Sequence, residues 1–195
     1  MTMMQGKPGA SGDAIGLLTG QHREMEQIWT QLQAAHASGS DVQNELAQQI
    51  ITLLSQHDAI ETQFLYPELR GLGDAQGEQL ADHSLDEHQQ VRELLSSVDG
   101  EDVRDESVYS TLSRCIADVM AHVAEEEQQI FPLLVGISTP ERLNELGQEM
   151  TAALKMAPTH PHPTTPNNKA GATVAGAVTG LVDKARDALR DAGRS

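Results

Sequence analysis

The chain has 195 residues, 38% hydrophobic and 22% charged, with a formal net charge of −16. That balance excludes global disorder, and the acidity argues against nucleic acid and anionic membrane surfaces as partners. One cysteine, Cys115, excludes an intrachain disulfide, and the lack of a long apolar run or signal-peptide pattern excludes a membrane span and makes the expected location cytoplasmic.

Aromatics are only 3%, while Ala, Leu, Gln and Glu are common, a mix that favours helices over strands. Residues 1–12 read as a disordered lead-in. Asp13 is a helix N-cap, followed by Ile15, Leu18, His22, Met25, Trp29 and Leu32 at three-and-four spacing. The first helix ends near Ser38-Gly39-Ser40. Asp41 is the expected cap of a second helix carrying Leu46, Ile50, Leu53, Leu54, His57, Glu61 and Phe64, with Pro67 near its end and Gly71 and Gly73 stopping it. A third helix spans roughly Gly77 to Val98. Asp105 or Ser107 caps a fourth, running through Leu112, Cys115, Val119, His122, Glu126 and Ile130 to about Leu134. Short connections between amphipathic helices predict an all-α, up-down-up-down four-helix bundle.

Thr139-Pro140 opens a short fifth helix to about Met156, so residues 13–157 form bundle plus fifth helix. Residues 158–172 begin with a Pro-rich run that predicts an extended linker. Residues 173–195 predict an amphipathic tail helix, with Val174, Val178, Leu181, Val182, Ala185 and Leu189 on one stripe, acting as a lid or docking helix. The body, residues 1–157, holds 8 Lys and Arg against 26 Asp and Glu; the remainder holds 5 against 3.

One pattern occurs twice: His57-x-x-x-Glu61-x-x-x-x-Tyr66-Pro67 and His122-x-x-x-Glu126-x-x-x-x-Phe131-Pro132. A His and a Glu four apart share a helix face. The preceding helices repeat as well: His22 and His88 are each followed by apolar residues three, six and seven positions on. The bundle therefore reads as two helical hairpins of one design. In an antiparallel hairpin, residues equidistant from the turn lie at one height. The midpoint of His22 and His57 falls between Gly39 and Ser40, that of His57 and His88 in 71–73, and that of His88 and His122 at Asp105. All three are turn positions, so the four histidines share one layer, with Glu61 and Glu126 one turn away.

Four imidazoles and two carboxylates in an apolar interior need counter-charge. Two divalent ions, each held by two His, with Glu61 and Glu126 bridging, would supply it. The donor set, lacking thiolate, suits iron or manganese, and also zinc and copper. Open positions would remain for an oxo or hydroxo bridge and a small ligand.

His22-Arg-Glu-Met, His57-x-x-x-Glu61 with Tyr66-Pro67, Asp86-Glu87-His88, and His122-x-x-Glu-Glu126 with Phe131-Pro132 together resemble the hemerythrin-like (HHE) cation-binding domain over about residues 13–135. The Pro-rich segment and charged end look similar to tails on actinobacterial members. The resemblance implies a non-haem di-iron centre held by His22, His57, Glu61, His88, His122 and Glu126. It further implies binding or sensing of oxygen, nitric oxide or peroxide. Enzymatic decomposition of peroxide or nitric oxide, and iron or redox sensing through metal-dependent folding, are the alternatives. The oxygen-carrying members use His-x-x-x-His and His-x-x-x-x-Asp on their third and fourth helices. His83-x-x-x-x-His88 and His122-x-x-x-Glu126 depart from that pattern and point away from oxygen storage.

His83 is a candidate fifth histidine ligand. Its repeat counterpart is Leu17, which argues against it, but a π-bulge in the third helix could turn both His83 and His88 inward. Tyr66 and Phe131 are expected to pack the bundle end; the minority reading has Tyr66 beside the metals, donating a hydrogen bond or an electron. Glu87, Glu125 and Glu127 point about 100° from the layer, as solvated groups or as hydrogen-bond partners of the imidazoles.

Overall fold

Asp13 starts the fold. Its carboxylate accepts the Gly16 N–H at 2.8 Å, satisfying one of the open donors of helix α1, Ala14–Ser38. Gly39, at φ +66°, closes that helix in the left-handed region, where a side chain would be strained. The computed structural model describes residues 12–71, 73, 75–164, 180, 182–184 and 186–188.

Helix α2, Gln43–Ile60, has Val42 at its cap position and no side-chain cap, so the expected role of Asp41 does not hold. The turn after Gly39 takes two further residues, which places Asp41 too early. The buried Gln43 instead donates back to the Ser40 carbonyl at 2.9 Å. α2 continues through a wide π-helical turn, Glu61–Leu65, into α3, Tyr66–Gly71. Then come α4, Ala75–Val98, and α5, Glu106–Glu125, the latter capped by Asp105, which accepts the Ser107 N–H at 2.8 Å. A second π turn, Glu126–Ile130, leads into α6, Phe131–Ile137. Thr139 caps α7, Pro140–Leu154. No strand occurs among the described residues.

The prolines explain where the helices widen. Pro67 and Pro132 have no N–H to return to the carbonyl four residues back. In each case the turn ahead of the proline opens, and the residue before it donates to the carbonyl five back: Tyr66 to Glu61, Phe131 to Glu126.

The four long rods run antiparallel in sequence, as the short turns require. Two apolar clusters fill the interior. One gathers Met25, Leu32, Ile50, Leu54, Leu95, Leu112, Cys115 and Val119; the other gathers Leu18, Ile60, Leu65, Leu69, Leu85, Ile130, Leu134 and Met150. Each fully buried Leu or Ile stabilises by about 1.5–3 kcal/mol. The layer of histidines lies between the clusters, sealed from both ends. α7 packs on α1 so closely that a Cβ on Gly147 would lie 2.6 Å from the Asp13 carbonyl carbon and 2.7 Å from the Ala14 nitrogen.

The Pro-rich segment does not lead away from the bundle as an extended linker. Its described part, residues 158–164, lies across α2 and α4: Thr52 donates to the Thr159 carbonyl at 3.1 Å and Gln89 to that of Pro163 at 3.1 Å. His160 is buried, between Asp99 at 2.8 Å and Asp187 at 3.0 Å, and His162 faces Asp183 at 3.0 Å. These charge pairs counter the tendency of prolines to extend, and hold the strap and the tail residues Asp183 and Asp187 on the bundle. Residues 1–11 of the lead-in, Leu72, and the stripe residues Val174, Val178, Leu181, Ala185 and Leu189 lie outside the described residues; Val182 is exposed.

Candidate metal centre

The layer assembles as the midpoints place it. The His22 and His57 ring centroids lie 5.0 Å apart, those of His88 and His122 4.8 Å apart. Glu61 and Glu126, fully buried, reach in from the two π turns. Each begins its turn, which tilts its carboxylate toward the bundle axis. His57 Nε2 lies 3.1 Å from Glu61 and His22 Nε2 3.3 Å from Glu126. His88 Nε2 lies 3.4 Å from Glu61, His122 Nε2 3.5 Å from Glu126, and the two imidazole nitrogens are 3.0 Å apart. The donors form two groups, His22 with His57, Glu61 and Glu126, and His88 with His122 and Glu61, so Glu61 belongs to both.

A ring of acceptors orients the imidazoles. Gln21 Oε1 meets His57 Nδ1 at 3.1 Å, and Asp58 meets His88 Nδ1 at 2.8 Å. Glu87 meets His122 Nδ1 at 2.8 Å, and Glu127 meets His22 Nδ1 at 3.0 Å. Each acceptor is the sequence neighbour of a layer residue on one helix and serves the histidine of the next, since adjacent residues diverge by about 100°. A neutral ring whose Nδ1–H donates outward turns its Nε2 lone pair inward, as a metal ligand must. Glu87 and Glu127 thus act as imidazole partners. Gln21 and Asp58 were not singled out from the sequence; their signal was adjacency to His22 and His57.

Tyr66 does not pack the bundle end. Its hydroxyl lies 2.9 Å from His88 Nε2, 3.3 Å from His122 Nε2, 3.1 Å from Glu126 and 3.4 Å from Glu61. The wide turn brings the residue five positions on back over Glu61, where an α turn would place it about 140° away. Phe131, its counterpart, stacks on His22 with 6° between the rings. His83 stays out of the layer: α4 carries no wide turn, and the side chain is 58% exposed beside Glu87 and Glu125.

The electrostatics show a site short of positive charge. Burial opposes ionisation of Glu126, but the facing imidazoles of His122 and His22 outweigh it and hold the carboxyl well below its ordinary range. Burial, reinforced by the Glu126 charge, pushes Glu61 well above. Burial and the neighbouring His22 push His57 well down, and burial also lowers His88 against its bond to Asp58. His122 resists burial through its hydrogen bonds to Glu126 and Glu87 and is pushed up to about 11. A metal that binds here competes with protons for the same donors.

The donors fit that role. Four atoms aimed into the layer, His22 Nε2, His57 Nε2, Glu61 Oε1 and Glu126 Oε2, are buried without a hydrogen-bond partner, the 3.1–3.3 Å approaches lacking hydrogen-bond direction. Leaving such groups unmatched costs about 1–3 kcal/mol each. Donors about 2.0–2.2 Å from one ion stand roughly 3–3.5 Å from each other, the spacing seen here.

A family model of the hemerythrin HHE cation-binding domain matches residues 13–134. The chain belongs to this family. It is also 26% identical over 168 residues to an uncharacterized hemerythrin-like protein of Schizosaccharomyces pombe (strain 972), covering 86% of this chain and 82% of that one. No solved structure matches. The hemerythrin match spans the bundle and stops before α7 and the strap. No described helix is long and apolar enough to cross a membrane.

Proposed function

We propose that the protein is a non-haem di-iron protein that binds or senses a small oxidising ligand: oxygen, nitric oxide or peroxide. The observation that carries the reading is the pair of donor groups sharing Glu61, with four inward donor atoms unmatched by any protein partner. His22 and His57 would hold one ion, His88 and His122 the other, and Glu61 and Glu126 would span both. Bound iron would supply redox-active centres with coordination positions open to a small molecule.

The residues around the layer set what reaches it. A cavity of about 210 Å³ opens between α2, α4 and α5 and touches His57, His88 and His122. It is smaller than pockets for drug-sized ligands, about 300–1,000 Å³. Leu54, Val91, Val119 and Ala121 make most of its wall apolar, and its lining holds three acidic residues, Asp58, Glu87 and Asp118, and no Lys or Arg. Such a passage admits small neutral molecules and disfavours anions. Tyr66 places its hydroxyl within hydrogen-bond reach of both carboxylates and can donate a proton there.

The test is an anaerobic titration of the reduced, iron-loaded protein with oxygen, nitric oxide and peroxide, followed by absorption spectroscopy. A saturable spectral change with at least one of them supports the reading. An iron-loaded protein inert to all three contradicts it.

A further inference from the structure

His83, excluded from the buried layer, sits at a second constellation. Its Nε2 lies 3.5 Å from Glu87 Oε1 on the same helix and 3.6 Å from Glu125 Oε2 on α5. One ligand atom from each of the three lies within 4.8 Å of the others, on partly exposed side chains. The 3.5 and 3.6 Å separations are too long for good hydrogen bonds, which centre near 2.9–3.0 Å. They match the edge of a tetrahedron of donors about 2.0–2.2 Å from an ion, roughly 3.4 Å. Each carboxylate uses its other oxygen elsewhere: Glu125 Oε1 accepts from Gln129 at 3.2 Å, and Glu87 Oε2 accepts from His122 Nδ1 at 2.8 Å. Among the described residues neither carboxylate pairs with a Lys or Arg; Glu87 is shared between His83 and His122, and Glu125 faces His83. Glu87 also lines the cavity that reaches His57, His88 and His122. The surface group and the buried layer are therefore joined by one carboxylate, which lines a cavity that also touches three layer histidines.

We propose that His83, Glu87 and Glu125 bind a divalent transition-metal ion at the surface, weakly and exchangeably, and that this ion is passed by way of Glu87 and the adjoining cavity to the buried layer. One imidazole and two carboxylates suit ferrous iron, manganese, cobalt or zinc. Three protein donors leave coordination positions to water, which favours exchange over retention. At 58%, 31% and 25% side-chain exposure, His83, Glu87 and Glu125 let a hydrated ion arrive directly from solvent. The transfer step rests on the buried layer being a metal centre; the surface site does not.

The test uses the metal-free full chain, with cobalt(II) as the probe because its visible absorption reports coordination. Equilibrium titration and stopped-flow loading are compared for wild type, His83→Ala, Glu125→Gln and His83→Asp. Glu87 is left intact because it orients His122. Wild type takes up tightly bound ions and one weak ion. His83→Ala and Glu125→Gln lose the weak ion, keep the tight ones with unchanged helical signal, and load them several-fold more slowly. His83→Asp, which restores a donor, recovers the weak ion and part of the rate. A weak ion that persists in His83→Ala overturns the surface site. Loss of the weak ion with an unchanged loading rate overturns the transfer. A wild-type chain that takes only the weak ion upholds the surface site and contradicts the buried centre instead.

Discussion

Asp58 is the residue whose removal tests the outer ring most sharply. It accepts from His88 Nδ1 at 2.8 Å and from Arg92 at 2.7 Å. Burial opposes its charge, but the bond to His88 and the ion pair with Arg92 outweigh it and hold its pKa below the ordinary value. Asp58→Ala takes away an ion-pair partner of a guanidinium that is only 2% exposed and an acceptor from a layer histidine. Breaking a buried pair from one side costs about 3–5 kcal/mol. Asp58 keeps some solvent contact and Arg92 keeps a 3.0 Å bond to Gln89, so about 3 kcal/mol is the appropriate figure. In a chain of this size that lowers Tm by about 6–12 °C. The ring argument adds a second effect: with His88 no longer held, metal affinity falls by about 10–100-fold. Asp58→Asn retains an acceptor for His88 without the charge and falls between wild type and Asp58→Ala on both readouts. Thermal unfolding followed by circular dichroism, with and without metal, measures the first effect, and competition with a chelator the second. An Asp58→Ala protein within about 2 °C of wild type and with unchanged metal affinity would refute the reasoning.

Gly147→Ala places a methyl group against the Asp13–Ala14 backbone, which cannot yield as a side chain tip can; overpacking of this kind costs about 1–3 kcal/mol, and an undiminished Tm would show that α7 is not seated on α1 as described. The strap over α2 and α4 should be pH-dependent through His160. Its hydrogen bond to Asp99, with that to Asp187, raises its pKa above the ordinary histidine value. A raised folded-state pKa contributes stability that is fully present below about 6.5 and is lost as pH climbs through the folded value. Protection factors of the amides in residues 158–164, taken relative to base-catalysed intrinsic exchange, should therefore fall at alkaline pH in wild type. They should be low at every pH in His160→Ala, and equal protection in the two proteins would contradict the assignment.

The parts of this fold that follow from local chemistry were legible in the sequence. Asp13, Asp105 and Thr139 cap the helices they precede, and the turns they flank place four histidines at one height by counting alone. Asp41 misled because the two residues after the left-handed Gly39, Ser40 and Asp41, belong to the turn and leave Val42 at the cap position, which numbering does not reveal. Tyr66 and the inner pose of the two glutamates depend on helices that widen by one residue ahead of Pro67 and Pro132. A period of 3.6 residues assigns Tyr66 to another face. The strap was misread for a different reason: proline content suggests extension, whereas its path is set by long-range charge pairs from His160 and His162 to Asp99, Asp183 and Asp187. The ring of Gln21, Asp58, Glu87 and Glu127 was only half visible, since each member serves a histidine on another helix.

The measurement that bears most directly on the central claim is the iron content of the full chain after anaerobic loading and desalting, in wild type, Glu61→Ala and His88→Ala. Because Glu61 belongs to both donor groups and His88 to one, wild type should retain about two irons per chain, His88→Ala about one, and Glu61→Ala fewer than His88→Ala. A wild-type chain that retains no iron, or one whose iron content is indifferent to Glu61, would contradict a shared two-ion centre.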